Sequence, residues 1–193
     1  MKTKNRLISF LLVIGVLLTL GSMSALATTY RSAGTGGNWN AMATWEYDNG
    51  GGTYIPADAT HQYPSLGDVA TITTGTTVTG NATVSIAQLT VNANAALNMN
   101  YSTTISGPLT VNTSGAMTTS AALSATTITN SGTLTVGGDV SVTTITVNGT
   151  MKPDGGLRTV TVSGNMTTGA SSAVEFINTP GGTGRLSWTF SGT

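Results

Sequence analysis

Few side chains of this sequence can act as acids, bases or metal ligands, and after residue 27 the charged ones are confined to residues 28–68 and 139–185. The charged residues after Gly138 that could share one site are Asp139, Lys152, Asp154, Arg158 and Glu175. A strong base beside carboxylates that hold a hard cation is the arrangement needed to abstract a proton from a sugar ring. Isolated ion pairs explain these residues more simply. We therefore expect this chain not to be an enzyme and to use no cofactor or metal.

The aromatic and acidic residues near the N-terminus are better explained as structural. Asp68 follows Gly67 directly before a strand-like segment, and its carboxylate is expected to accept backbone N–H bonds at that turn. Trp39 and Trp45 are expected to form the core of an N-terminal cap, although exposed tryptophans would stack on sugars. His61 is the only histidine of the sequence and has no metal-ligand companion, so we expect it to be a loop residue.

Thr-x-Thr triplets recur in the sequence and could order water. They occupy residues 71–73, 77–79, 127–129, 133–135, 144–146 and 159–161. On a strand both hydroxyls of a triplet lie on one side, so stacked triplets would form a lattice of hydroxyl and methyl groups that could bind ice. The spacing is uneven and residues 80–126 contain no such triplet. This favours the simpler explanation that threonine covers a sheet as a good polar strand former.

The charge of the sequence excludes several classes of protein. After residue 27 there are four basic side chains against seven acidic ones, and none of either kind between Val69 and Gly138. A chain so poor in basic residues has no electrostatic surface for nucleic acid or anionic lipid. The sequence also contains no cysteine, so packing and backbone hydrogen bonds must stabilise it without disulfides.

The N-terminus has the pattern of a secretory signal peptide. Three basic side chains within the first six residues precede an apolar run from Leu7 to Leu20, and residues 25–27 form an A-x-A motif. This order is typical of a cleaved signal, and the apolar run is shorter than the ~20 residues that a membrane span needs. We expect cleavage near Ala27, a secreted or cell-surface location, and no membrane span after cleavage.

Short strand-like segments follow from Val69 onwards, and they recur. Leu-Thr-Val appears at 89–91, 109–111 and 134–136, with related triplets at 145–147 and 160–162. Repeats of roughly 15–25 residues are typical of a solenoid in which each repeat forms one coil. A β-sandwich also has short alternating strands, but it normally buries aromatic residues in mid-chain, and residues 69–138 contain only Tyr101. The sequence favours an all-β solenoid, with the sandwich as the alternative.

Three segments follow from this interpretation: a signal peptide at 1–27, an aromatic N-terminal cap at 28–68, and β-solenoid coils at 69–193. Whether the coils continue beyond residue 193 is left open. About six coils of ~20 residues, stacked ~4.8 Å apart, would form a wall ~30 Å long. The apolar residues predicted to point into one core are Ile72, Val78, Leu89, Val91, Leu109, Val111, Ile128, Leu134, Val136, Ile145 and Val147.

The residues at the start of this region resemble a known family. The order Gly37-Asn38-Trp39, Ala43-Thr44-Trp45, Gly67-Asp68 and Gly75 resembles the entry into single-stranded right-handed β-helices of bacterial surface proteins, pectate-lyase-like in architecture, and the start of the eight-glycine extracellular domain family. The likeness covers about residues 34–91, and the remainder shares the repeat style. It implies a right-handed parallel β-helix in a large exported protein, often adhesin-like or attached to carbohydrate-handling modules. The enlarged loop before Gly67 departs from the family's pattern.

The leading functional hypothesis is an exported structural or adhesive β-solenoid module that has no catalysis of its own. Its expected partners are extracellular polysaccharide or other surface proteins. The first alternative is a carbohydrate-binding or carbohydrate-processing protein whose active part lies beyond this chain. The second alternative is an ice-binding, Thr-rich wall.

Overall fold

The computed structural model describes residues 27–170, 172–174 and 185–190. The signal peptide predicted at 1–27 therefore lies outside the described residues except for Ala27, and so does Glu175. Within the described part the chain is all-β, with one 3₁₀ turn at Met42–Thr44. No helix of that part is long and apolar enough to cross a membrane.

Short strands make up most of the described chain. In order they are β1 (Thr29–Ser32), β2 (Gly36–Asn38), β3 (Trp45–Asp48), β4 (Tyr54–Pro56), β5 (Val69–Ile72), β6 (Thr77–Gly80), β7 (Val84–Ile86), β8 (Gln88–Val91), β9 (Ala96–Met99), β10 (Thr103–Val111), β11 (Ala116–Thr119), β12 (Leu123–Asn130), β13 (Thr133–Val136), β14 (Val140–Val147), β15 (Thr150–Pro153), β16 (Leu157–Val162), β17 (Met166–Thr168), β18 (Ala173–Val174) and β19 (Arg185–Phe190). In most strands from β5 onwards, polar residues (chiefly threonine and serine) alternate with buried apolar residues, which suits a pleated surface with one buried side.

The strands stack in parallel as a β-solenoid of about six turns. They form a 12-stranded and a 7-stranded sheet. The larger sheet forms two faces of the solenoid, because the long strand β10 pairs with β7 through its first half and with β8 through its second half. We call face 1 the side that contains β1, β5, β8, β17 and the second halves of β10, β12 and β14. Face 2 is the 7-stranded sheet, and face 3 contains β7, β16, β19 and the first halves of β10, β12 and β14.

The apolar side chains of all three faces meet in one core. Each of the eleven residues predicted to point inwards is at most 1% exposed, which confirms the predicted periodicity. Residues 84–91 pair with β10 in parallel and not as antiparallel hairpins. This pairing rules out the β-sandwich alternative.

The coils differ in length although their strands stay in register. Ala70, Leu89, Leu109, Ile128 and Ile145 occupy one column on face 1, so successive coils advance by 19, 20, 19 and 17 residues. The shorter coils have tighter corners between face 1 and face 2. A Cβ atom added to Gly132 at such a corner would overlap the carbonyl oxygen of Gly115 in the preceding coil. Glycine is therefore required for the coils to approach each other closely there.

Parallel pairing begins within the segment that the sequence assigned to an N-terminal cap. β1 pairs with β5, and β2 pairs with β6, both in parallel. The segment 28–68 therefore supplies two strands of the first coil. It also supplies β3 and β4, which extend the larger sheet antiparallel beyond β1, together with an aromatic cluster near the N-terminus.

Candidate functional site

A continuous column of threonines runs along face 1. Successive strands pair Thr71 with Thr90, Thr90 with Thr110, Thr110 with Thr129, Thr129 with Thr146, and Thr146 with Thr167. We call these six residues the threonine ladder. At ~4.8 Å between neighbouring strands, the ladder is about 24 Å long.

The ladder side chains point away from the core. The residues on either side of Thr90, Leu89 and Val91, are fully buried, while Thr90 itself is half-buried and Thr129 is exposed. Each ladder position therefore presents a hydroxyl and a methyl group at the surface. The uneven spacing in the sequence does not disturb the column, because the corners absorb the differences in coil length. Thr90 and Thr110 keep the column intact even where the sequence has no Thr-x-Thr triplet.

The other two faces carry related but less uniform columns. On face 3 the outward column is formed by serine and threonine hydroxyls, namely Ser85, Thr104, Ser124, Ser141, Thr161 and Thr189. On face 2 the column Thr79, Thr118 and Thr135 is interrupted by Asn98 and reaches Lys152. Face 1 is thus the face with the most regular array of one side-chain type.

The charged residues considered for catalysis lie on different parts of the solenoid. Lys152 lies on β15 of face 2, whereas Arg158 lies on β16 of face 3. Asp139 lies at a corner, where its Oδ1 accepts the backbone N–H of Thr159 at 2.9 Å. Asp154 is exposed directly after β15. Among the described residues, no group of three or more His, Asp or Glu side chains is placed to hold a metal ion.

The two tryptophans singled out from the sequence are almost completely buried. Trp39 is 2% exposed and Trp45 is 1% exposed. Their rings meet edge to face with centroids 4.9 Å apart, and Trp45 packs in the same way against Tyr30 at 6.4 Å. The indole N–H of Trp45 donates to the Trp39 carbonyl at 2.6 Å, so this buried polar group is satisfied. Neither ring is available as a flat platform for a ligand.

Asp68 ties three parts of the chain together. Its Oδ1 accepts the backbone N–H of Thr28 at 3.0 Å, and its Oδ2 accepts the backbone N–H of Ser65 at 2.9 Å. Gly67, directly before it, has a φ of +92°, a conformation that glycine adopts without strain. The carboxylate also contributes, after burial itself, to raising the pKa of Tyr30 to about 12. The pair Gly67-Asp68 thus fixes the turn that leads into β5.

A second carboxylate organises the enlarged loop that precedes Gly67. Asp58 Oδ1 accepts the backbone N–H groups of Thr60 and His61, each at 2.8 Å, and these bonds lower the pKa of Asp58. Asp58 Oδ2 accepts the Tyr47 hydroxyl at 3.0 Å. The imidazole of His61 stacks on the Tyr47 ring at 4.1 Å. Burial, followed by this hydrogen bond to Asp58, raises the pKa of Tyr47. His61 is accordingly held in a loop contact.

Comparison of the chain with protein-family models, with curated proteins and with solved structures finds no match. Any assignment of function therefore has to come from the residues and their geometry.

The ladder is the feature that the sequence alone did not identify. Its members are separated by 19, 20, 19, 17 and 21 residues, so no fixed period points to them. A usable signal is nevertheless present, because Thr90, Thr110, Thr129 and Thr146 each precede the last inward residue of a strand on face 1. Aligning the strands on their buried residues, rather than on a fixed repeat, would have found the column.

Proposed function

We propose that this chain is an exported structural and adhesive module, which presents an uncharged polar surface to extracellular partners and has no catalysis of its own. The observation that carries the proposal is the threonine ladder on face 1. Six hydroxyls in one column can form many weak hydrogen bonds to an extended partner. Each such bond contributes only about 0.5–1.5 kcal/mol, but several bonds along one surface act together.

Extracellular polysaccharide is the partner that suits this surface best. Its chain is extended and rich in hydroxyl groups, as the ladder is. Surfaces of this kind bind through direct and water-mediated hydrogen bonds without any charged group. Other surface proteins that offer an uncharged polar face are the second class of partner.

The sequence supports the extracellular location that this function requires. The pattern at residues 1–27 is that of a cleaved signal, and the absence of cysteine is compatible with a fold stabilised by stacked coils. We also propose a relationship to the β-helices of bacterial surface proteins. The order of Trp39, Trp45, Gly67-Asp68 and Gly75 along the chain supports it.

Sedimentation with insoluble polysaccharide tests the proposed function. The purified chain is mixed with particles of cellulose, chitin or bacterial cell wall, and the bound fraction is measured at 0.1 M and 1 M NaCl. We expect saturable binding to at least one of these materials that changes little with salt, because the six ladder side chains carry no charge. We also expect no release of reducing or unsaturated sugar ends. Release of such ends that Lys152→Ala or Arg158→Ala abolishes would contradict the proposal.

The register of the ladder also favours a second candidate, an ice-binding surface. Threonines paired on adjacent strands repeat at a constant spacing, which is the requirement for ordering a layer of water. A neighbouring outward column on face 1 contains Thr127 and Thr144 but is interrupted by Pro108, so the array is regular in only one direction. Thermal hysteresis of the purified chain decides the matter, since a freezing point that equals the melting point excludes this candidate.

A further inference from the structure

A cleft lies between the enlarged loop, at residues 63–66, and the corner at residues 82–85 where the chain passes from face 2 to face 3. It has a volume of about 290 Å³, close to the lower end of the range for small-ligand sites. Tyr63 and Leu66 form the loop side, Thr83 and Ser85 form the solenoid side, and Trp39 and Asn40 also line it.

The loop side of the cleft is fixed in place. The indole N–H of Trp39 donates to the carbonyl of Pro64 at 3.1 Å. Both the backbone N–H and the hydroxyl of Ser65 donate to Asp68 Oδ2, at 2.9 and 3.1 Å. The buried Trp39 indole and the partly buried Asp68 carboxylate therefore hold residues 64–65 in place. A site that is formed before its ligand arrives loses less free energy of ordering on binding.

The side chains at the cleft are suited to an uncharged, amphipathic ligand. None of the described residues that line it is charged, so an ionic ligand would lose hydration without gaining a counter-charge. Leu66 is 78% exposed and Tyr63 is 37% exposed, and both offer apolar surface. Asn40, Thr83 and Ser85 offer hydrogen-bonding groups. A sugar ring has this combination, with C–H groups on its faces and hydroxyls around its edge.

A second exposed aromatic residue lies one coil further along the same corner. Gly80 pairs with Met99, and Val84 pairs with Thr103, so residues 81–83 align with residues 100–102. Tyr101 thus occupies the position that Ala82 occupies at the cleft, and it is 51% exposed. The cleft and Tyr101 lie along the solenoid axis, in the direction in which an extended chain would continue.

We propose that this cleft binds a neutral sugar residue of an extracellular glycan, with Tyr63 stacking on the ring and Thr83 and Ser85 binding its hydroxyls. Tyr101 stacks on a later residue of the same glycan chain. The proposal rests on the proposed adhesive function only for the class of partner, because none of these residues belongs to the threonine ladder.

Nuclear magnetic resonance titration of the ¹⁵N-labelled chain tests this site. The probes are the neutral hexasaccharides of cellulose, laminarin and mannan, each with its disaccharide, and trigalacturonate as a charged comparison. We expect at least one neutral hexasaccharide to cause saturable shifts of the Trp39 indole N–H and of the Thr83 and Ser85 amides. Trigalacturonate should cause no saturable shift.

Variants assign the contacts. Tyr63→Ala should weaken binding of the hexasaccharide about 5- to 10-fold, as expected for loss of one stacked ring. Leu66→Ala, at a position that is 78% exposed, should weaken it about 2- to 5-fold. Tyr101→Ala should also weaken binding of the hexasaccharide. Phe190→Ala removes an equally exposed ring on β19, far along the stack, and should change nothing.

Four results would overturn the cleft proposal. Three of them are saturable shifts with none of the neutral hexasaccharides, equal shifts with trigalacturonate, and affinities unchanged by Tyr63→Ala and Leu66→Ala. Shifts confined to the amides of Thr110 and Thr129 would also overturn it, while supporting the adhesive function of the ladder. Binding to insoluble polysaccharide is measured separately, so the failure of one proposal is distinguishable from the failure of the other.

Discussion

Replacing Gly132 by alanine tests directly whether the coils stack as closely as described. Gly132 lies at the corner between face 1 and face 2, where its added Cβ would overlap the carbonyl oxygen of Gly115. That oxygen accepts the backbone N–H of Thr133 at 2.9 Å. The two coils therefore cannot move apart at this corner without lengthening the hydrogen bond that joins them.

The expected loss of stability follows from three contributions. Overpacking of a close contact costs about 1–3 kcal/mol, and weakening one hydrogen bond of the ladder costs about 1 kcal/mol more. Alanine has fewer unfolded conformations than glycine, which offsets about 0.5–1 kcal/mol. Gly132→Ala should therefore lower the free energy of unfolding by about 1–3.5 kcal/mol.

Urea unfolding followed by circular dichroism measures this difference, with Gly75→Ala as the control. Gly75 has a φ of +78°, but no atom lies within 4 Å of its added Cβ, so only backbone strain of about 1 kcal/mol is expected. A loss below about 0.5 kcal/mol for Gly132→Ala, or a loss smaller than that for Gly75→Ala, would refute the close stacking of coils at this corner.

Three further predictions concern the aromatic cluster, a corner and the enlarged loop. Trp45→Ala should lower the free energy of unfolding by about 3–5 kcal/mol. The control Leu157→Ala, at a position 64% exposed, should change it by less than about 0.5 kcal/mol. A loss under 1 kcal/mol for Trp45→Ala would show that the ring is not in the core. Ser114 has a φ of +63°, so Ser114→Gly should raise the melting temperature while Thr113→Gly lowers it, and a fall for both would contradict the turn geometry. Backbone hydrogen bonds from His61 and Thr60 lower the pKa of Asp58 below 3.8. The ionised carboxylate therefore stabilises the fold above pH 3.8, and this stabilisation is lost as the pH falls through the lowered pKa. The free energy of unfolding should change less between pH 6 and pH 2.5 in Asp58→Asn than in the original chain, and an equal change in both would remove Asp58 as a source of acid sensitivity.

Much of the fold follows from local sequence pattern. Inward residues such as Leu89, Leu109 and Ile128 alternate with threonine, and a strand with one buried side requires that alternation. Repetition of these strands at about coil length predicts the parallel stacking. The prediction worked because side-chain alternation is a short-range property that no distant contact has to supply.

The rest depends on contacts between residues far apart in the sequence. The antiparallel extension by β3 and β4 could not be predicted, because the pairing of Trp45 with Ser32 across a non-repetitive segment has no periodic signal. The threonine ladder was missed for a related reason. Its register is set by corner geometry, which varies between the four-residue turn at Asn94 and the tighter corner at Gly132. Likewise the cleft requires the loop at Tyr63 to fold back against the corner at Thr83, and only the structure shows that.

The measurement that tests the central claim most directly is the affinity of ladder variants for insoluble polysaccharide. The variant Thr90→Val, Thr110→Val, Thr129→Val removes three adjacent hydroxyls and retains the β-branched shape of each side chain. The matched control Thr79→Val, Thr118→Val, Thr135→Val removes three hydroxyls from the interrupted column of face 2. Loss of three neutral hydrogen bonds predicts at least about tenfold weaker binding for the ladder variant, with the control within about twofold of the original chain. Equal affinity of the two variants would contradict the claim that the threonine ladder is the adhesive surface.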